Sequence, residues 1–174
     1  TQPTEYVQRI RAAAARDPRV RLIGTVYERD RLQALRYHSV SYLHGHSVGG
    51  TNPSLLEALG CGNVVVAHDN PFNREVGGAA VLYFREAAEL PALLQRIEES
   101  TALQRALSEQ AVARIEARYT WGRIVGQYLD LLGHPQRVEA PVEVPAARLP
   151  SHSGDGHRSA EPVLVIAEEA PRRA

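Results

Sequence analysis

The chain contains no lysine and no methionine, and only one cysteine and one tryptophan. All 20 basic residues are arginine, which excludes a phosphate-binding lysine of the Walker type, so any phosphate must meet arginine, backbone N–H or a partner. The lone Cys61 cannot form an internal disulfide or a cysteine-based zinc site; it suits a reducing compartment, and the cytoplasm is the expected location. Neither sign of charge is in excess, since 20 acidic residues cancel the 20 arginines. A nucleic-acid footprint and a polybasic membrane patch are therefore both missing, and no nucleic-acid partner is expected. No run approaches the roughly 20 apolar residues that span a bilayer, and residues 1–20 lack the apolar core of a secretory signal. With Thr1 at the start and no methionine, a fragment or a processed product is expected.

What is present is the material of one domain: 174 residues, 44% of them hydrophobic, enough for a core. Tyr6, Val7, Ile10, Ala13 and Ala14 recur at helical spacing over Thr4 to Arg16, and Asp17-Pro18 ends that helix. A short strand follows at Val20 to Gly24, then a short helix over Glu28 to Tyr37 and a second strand at Val40 to His44. Asn52 is a good N-cap with Pro53 at the first helical position, so a helix is predicted from Pro53 to about Leu59 before Gly60 and Gly62 close it. Val64 to Ala67 reads as a strand buried on both faces. Asn73 is expected to cap a short turn at Arg74 to Val76, Gly77-Gly78 breaks it, and Val81 to Phe84 makes a fourth strand. From Arg85 to Leu132 the pattern is helical, with Thr120 as a plausible cap for the last helix. Six of the eleven prolines follow Gly133, and residues 134–174 are expected to be a disordered tail. Within it, Val163 to Ile166 could add to an open sheet edge, an unpaired apolar patch being the plainer alternative. The expected fold is α/β, a partial Rossmann-like domain over 1–133 with about four parallel strands and C-terminal helices.

Residues 44–76 then read as two successive strand-loop-helix corners facing one rim, where open α/β sheets bind ligands. Gly49-Gly50-Thr51-Asn52 can bring backbone N–H groups close to an anion, and the following helix adds its positive end, so a diphosphate is the natural guest. Glu57, one turn inside that helix, is placed either to accept hydrogen bonds from ribose hydroxyls or to be an ordinary exposed helix acid. Arg74 is either a phosphate ligand or a solvated turn residue. Glu75 reads as a helix-start residue, and Trp121 with Tyr119 as a core anchor for the last helix rather than an acceptor platform. Cys61 reads as a small buried hydrophobe. His44, His46, His68 and Asp69 could in principle form a metal cluster on the rim, although packing explains His44 better and hydrogen bonding His46 and His68.

Thr51-Asn52-Pro53-Ser54-Leu55-Leu56-Glu57-Ala58, followed by Cys61-Gly62-Asn63-Val64-Val65-Val66-Ala67, resembles the donor-binding segment of retaining GT-B glycosyltransferases of the large family 4. With Val48-Gly49-Gly50 and Asp69-Asn70-Pro71-Phe72-Asn73-Arg74-Glu75-Val76 it is similar to the rhamnosyltransferase-like branch. The likeness covers residues 18–132. It implies a C-terminal donor-binding domain that holds a nucleotide sugar, while an N-terminal domain missing here holds the glycan acceptor. A hexosyl or deoxyhexosyl group would be transferred with retention, with no cofactor and no metal, in polysaccharide biosynthesis, and the full enzyme could associate peripherally with a membrane. Glu57 would contact the ribose, the Gly50 to Asn52 loop the diphosphate, and the Asn70 to Arg74 loop, with Asn73 and Arg74, the sugar side. The family's first motif acid falls on Gly49, so His46 is the candidate to replace it. The family's paired Arg and Lys have no counterpart, because the chain begins after the unit that carries them. The first two strands of the usual doubly wound order would then be missing between the Val20 and Val40 strands, and a chain that is marginal, associates or closes the gap by rearrangement is expected. A non-catalytic nucleotide-sugar-binding or subunit-interaction module is the second reading, and a metal-assisted hydrolase the third.

Overall fold

In the computed structural model the described residues are 4–133 and the backbone of 164–167. They divide into two compact units, one of residues 4–32 with 164–167 and the other of residues 33–133.

In the first unit Thr4 caps helix α1 (Glu5–Ala14), its side chain accepting from the Val7 N–H at 3.4 Å. Asp17-Pro18 ends the helix, and strand β1 (Val20–Gly24) follows. β1 pairs in parallel with β5 (Leu164–Ala167), Val20 opposite Leu164. Of the tail expected over 134–174, this strand is the part that falls on described residues, and it is paired.

The second unit begins within α2 (Arg29–Tyr37) and carries the parallel sheet β2-β3-β4, formed by Tyr42–His44, Val65–His68 and Val81–Phe84. Tyr42 lies opposite Val65, and Val65 opposite Val81. The four expected strands are β1 to β4, of which three make this sheet while β1 pairs with β5. β2 is shorter than expected: Val40 stays outside it and is exposed.

Alternation along β3 fills both sides of the sheet, as a strand buried on two faces requires. Val65 and Ala67 pack with Leu55, Ala58 and Leu59 of α3 (Pro53–Gly60), with Val76 and Ala80, and with Ala111 of α6 (Thr101–Arg118). Val64 and Val66 pack on the other side with Phe84, Leu107 and Ile97 of α5 (Leu90–Glu98). Helix α4 (Pro71–Gly77) is capped by Asn70, whose side chain accepts from the Asn73 N–H at 2.9 Å. The expected cap at Asn73 is thus corrected: Asn70-Pro71 repeats the Asn52-Pro53 grammar and starts the helix three residues earlier. Glu75 is correspondingly inside α4 rather than at its start.

The last helix, α7 (Trp121–Leu131), has no buried residue. Thr120 stands at its N-cap without a side-chain capping bond. The expectation that Trp121 anchors the helix in the core is overturned, since its residue exposure is 82%; Tyr128 and Leu131 are exposed as well.

Candidate functional site

The C-terminal ends of β2 and β3 open into two loops that side-chain amides sew together. Asn70 Nδ2 and Asn73 Nδ2 each donate to the His46 carbonyl at 3.0 Å, and Asn73 Nδ2 also donates to the His68 carbonyl at 2.9 Å. Both asparagines are buried, where unpaired carbonyls would be costly, so these bonds hold the two corners in one orientation. Sequence reading had given Asn73 to a ligand; its Nδ2 group is engaged within the rim. The His46 ring stacks on that of buried His44 with centroids 4.6 Å apart.

Between His46 and α3 the chain runs as an exposed bend. Gly49 adopts φ +128°, a conformation that favours glycine, and nothing lies within 4 Å of where a Cβ on Gly49 or Gly50 would stand. No backbone hydrogen bond engages the amides of Gly49, Gly50 or Thr51 among the described residues. The bend ends at Asn52, whose Oδ1 accepts from the Ser54 N–H at 3.0 Å and from the Ser54 hydroxyl at 2.7 Å. A backbone open to close approach thus leads directly into a capped helix start, the arrangement that favours anions.

Beside the bend lies a hollow of about 270 Å³ lined by Thr51, Leu56, Tyr119, Trp121 and Ile124. Glu57 is not among its walls. The Glu57 carboxylate instead meets Arg36 on the last turn of α2, Nη1 to Oε2 at 2.5 Å. Arg36 is itself fixed through its carbonyl, which accepts from the Asn63 side chain and from the Ser39 hydroxyl. Thr51 and Leu56 therefore share a hollow, His46 shares a node with Asn70 and Asn73, and Glu57 pairs with Arg36. Sequence reading missed Arg36. The available signal was its place four residues after Leu32, on the half-buried side of α2, where a guanidinium needs a partner.

On the second corner Asp69 gathers Arg74 and Arg85. Arg74 Nε and Nη2 grip it as a fork, Nη2 at 3.0 Å, and Arg85 Nε donates at 2.9 Å. The Arg74 hydrogen bond, then that of Arg85, holds the Asp69 carboxyl well below the usual carboxylate range. The Arg74 guanidinium also lies 4.5 Å over the Tyr83 ring, a cation–π contact. Burial pushes the Cys61 thiol up, against the lowering effect of Arg36, which makes it a poor nucleophile. His44, His46, His68 and Asp69 do not assemble: among the described residues no group of three or more His, Cys, Asp or Glu side chains is placed to hold a metal ion.

A parallel sheet with a glycine bend and a capped helix at its C-terminal rim defines a Rossmann-like domain. Residues 5–130 match the family described as glycosyl transferase-like, and the chain belongs to that family. Curated proteins and solved structures give no match. Among the described residues no helix is long and apolar enough to cross a membrane.

Proposed function

We propose that this chain is the donor-binding domain of a retaining GT-B glycosyltransferase of family 4, in its rhamnosyltransferase-like branch. It transfers a hexosyl or deoxyhexosyl group from a nucleotide diphosphate sugar to a glycan acceptor held by an N-terminal domain. The reading takes the enzyme as cytoplasmic, with any membrane association peripheral. The observation that carries it is the glycine bend with unengaged amides running into the Asn52-capped start of α3, in a chain of a glycosyltransferase family.

The bend and the helix start receive the diphosphate and stabilise the charge that grows on it as the sugar leaves, with no need of a metal. Arg74, exposed on the second corner, adds a cation on the sugar side. Arg36 holds Oε2 of Glu57 and leaves Oε1 for ribose hydroxyls, so the ion pair is compatible with a ribose contact. Gly49 takes the position of the family's first acid, and exposed His46 is the residue that replaces its role in this reading.

Calorimetric titration with nucleoside diphosphates, deoxythymidine diphosphate among them, tests the proposal. Saturable binding to at least one, unaffected by a chelator and weakened about tenfold in Arg74→Ala, is the expected result. Failure of every nucleoside diphosphate to bind would remove the reading.

A further inference from the structure

We infer that the hollow between α3 and the start of α7 is a subsite for one neutral sugar ring, with Trp121 as its platform. None of its five lining residues, Thr51, Leu56, Tyr119, Trp121 and Ile124, carries a charge. A phosphate therefore gains nothing there, and a neutral ligand is the complement. The volume of about 270 Å³ lies just below the range of about 300–1,000 Å³ common for small-molecule sites, which fits a ring rather than a chain of rings.

The walls differ in a way that favours a sugar over a nucleobase. Tyr119 is fixed: its N–H donates to the Ile115 carbonyl at 2.8 Å and its hydroxyl to the Glu75 carbonyl at 3.2 Å. Glu75 is held in turn by Arg118 at 2.9 Å. With the Tyr119 hydroxyl already donating, Thr51 brings the remaining side-chain hydroxyl of the lining. A base buried here would leave donors and acceptors of its edge unpaired, at a cost. A sugar would not, because its C–H face rests on an aromatic ring while its hydroxyls stay in water. Trp121 offers such a face, being 82% exposed in spite of its place in the lining. Thr51 belongs both to the hollow and to the glycine bend, so the ring would lie beside the proposed diphosphate position. The choice of ligand class rests on the glycosyl-transfer reading, whereas the site itself does not.

Trp121 is the only tryptophan in the chain, so emission reports this place alone. The full chain is titrated with methyl glycosides of glucose and rhamnose, with thymidine as a separate arm. The expected result is a saturable blue shift and intensity change with the glycosides, at about millimolar concentration for a single ring, and none with thymidine. Trp121→Ala, at an exposed position and so safe for folding, is expected to weaken glycoside binding about tenfold by saturation-transfer NMR, with Trp121→Phe retaining part of it. No response to any glycoside would overturn the inference. So would a response to thymidine alone, or ligand-free emission that shifts with protein concentration, which would assign Trp121 to contact with a second copy. Glycoside binding that persists when no nucleoside diphosphate binds would remove the donor proposal and leave this one standing.

Discussion

Arg36 and Glu57 form an ion pair in which the cation is covered and the anion is not. Their Nη1–Oε2 distance is 2.5 Å, and the side chains are 9% and 57% exposed. The asymmetry predicts unequal effects of removing either partner. Glu57→Gln leaves a desolvated guanidinium facing a neutral amide, at a cost of about 1–2 kcal/mol, toward the low end for charged hydrogen bonds because the acid is solvated. Arg36→Met keeps most of the volume and removes the buried charge, so it costs less. Urea unfolding of both variants measures this, and a larger loss in Arg36→Met would contradict the burial argument. The same Glu57→Gln change is expected to weaken nucleoside diphosphate binding by about 1–3 kcal/mol through its ribose contact. Unchanged affinity takes Glu57 out of the site.

Asn73→Ala removes two hydrogen bonds made by one buried amide, to the carbonyls of His46 and His68. Each carbonyl then loses that donor, and His46 keeps Asn70. A loss of about 1–3 kcal/mol is expected, with a larger rise in amide exchange at Leu55 and Leu56, whose N–H groups donate to the Asn52 carbonyl, than in α5. Exchange that stays flat at the start of α3 would mean that the two corners are not coupled through this residue.

Gly78 adopts φ +55°, and a Cβ there would stand 2.6 Å from Arg114 Nη1. That guanidinium closes the end of α4, Nε donating to the Val76 carbonyl and Nη2 to the Glu75 carbonyl, both at 2.5 Å. Gly78→Ala therefore adds backbone strain to a displaced cap, and about 1–3 kcal/mol of stability should be lost. Gly60 makes a useful control: a Cβ there meets only Ile115 Cγ2, at 3.9 Å. Gly60→Ala, at the end of α3, is expected to be neutral or to stabilise by about 0.5 kcal/mol. Thermal melts of the pair separate strain from helix propensity, and equal losses would sink the assignment.

Local grammar was legible where chemistry is local. Asn52-Pro53, the apolar run at Val64 to Ala67 and the Gly77-Gly78 break each specify their own backbone, and these elements stand within a residue or two of expectation. The cap at Asn70 was readable by the same rule but lost to Asn73, because both precede helical residues and only packing decides which side chain turns inward. Long-range choices were not legible. Nothing near Glu57 announces Arg36, 21 residues upstream. Trp121 looks like a core residue on hydrophobicity alone, yet whether an apolar stripe on a last helix is covered depends on what packs over it. That Val163 to Ile166 could add to a sheet edge was readable, but not that its partner would be β1, at the opposite end of the chain.

Asp69 carries the pH dependence of the second corner. Its carboxyl is lowered from the ordinary 3.8, first by the Arg74 hydrogen bond and then by that of Arg85. Asp17 is lowered in the same sense, to about 2, by Arg19. A depressed folded-state pKa means that the unfolded chain takes up the proton first. The stabilising contribution is therefore fully present above the unfolded value and is lost as pH falls through the folded one. Melting temperature should hold steady from pH 7 to about 5 and then fall as pH drops below about 4. Asp69→Asn lowers the plateau, because Arg74 and Arg85 lose their shared partner, and flattens the acid limb. The gap between wild type and variant must then narrow as the solution is acidified. A gap that stays constant or widens between pH 5 and pH 2 would show that Asp69 does not anchor these arginines, and Arg74 would lose its fixed place beside the rim.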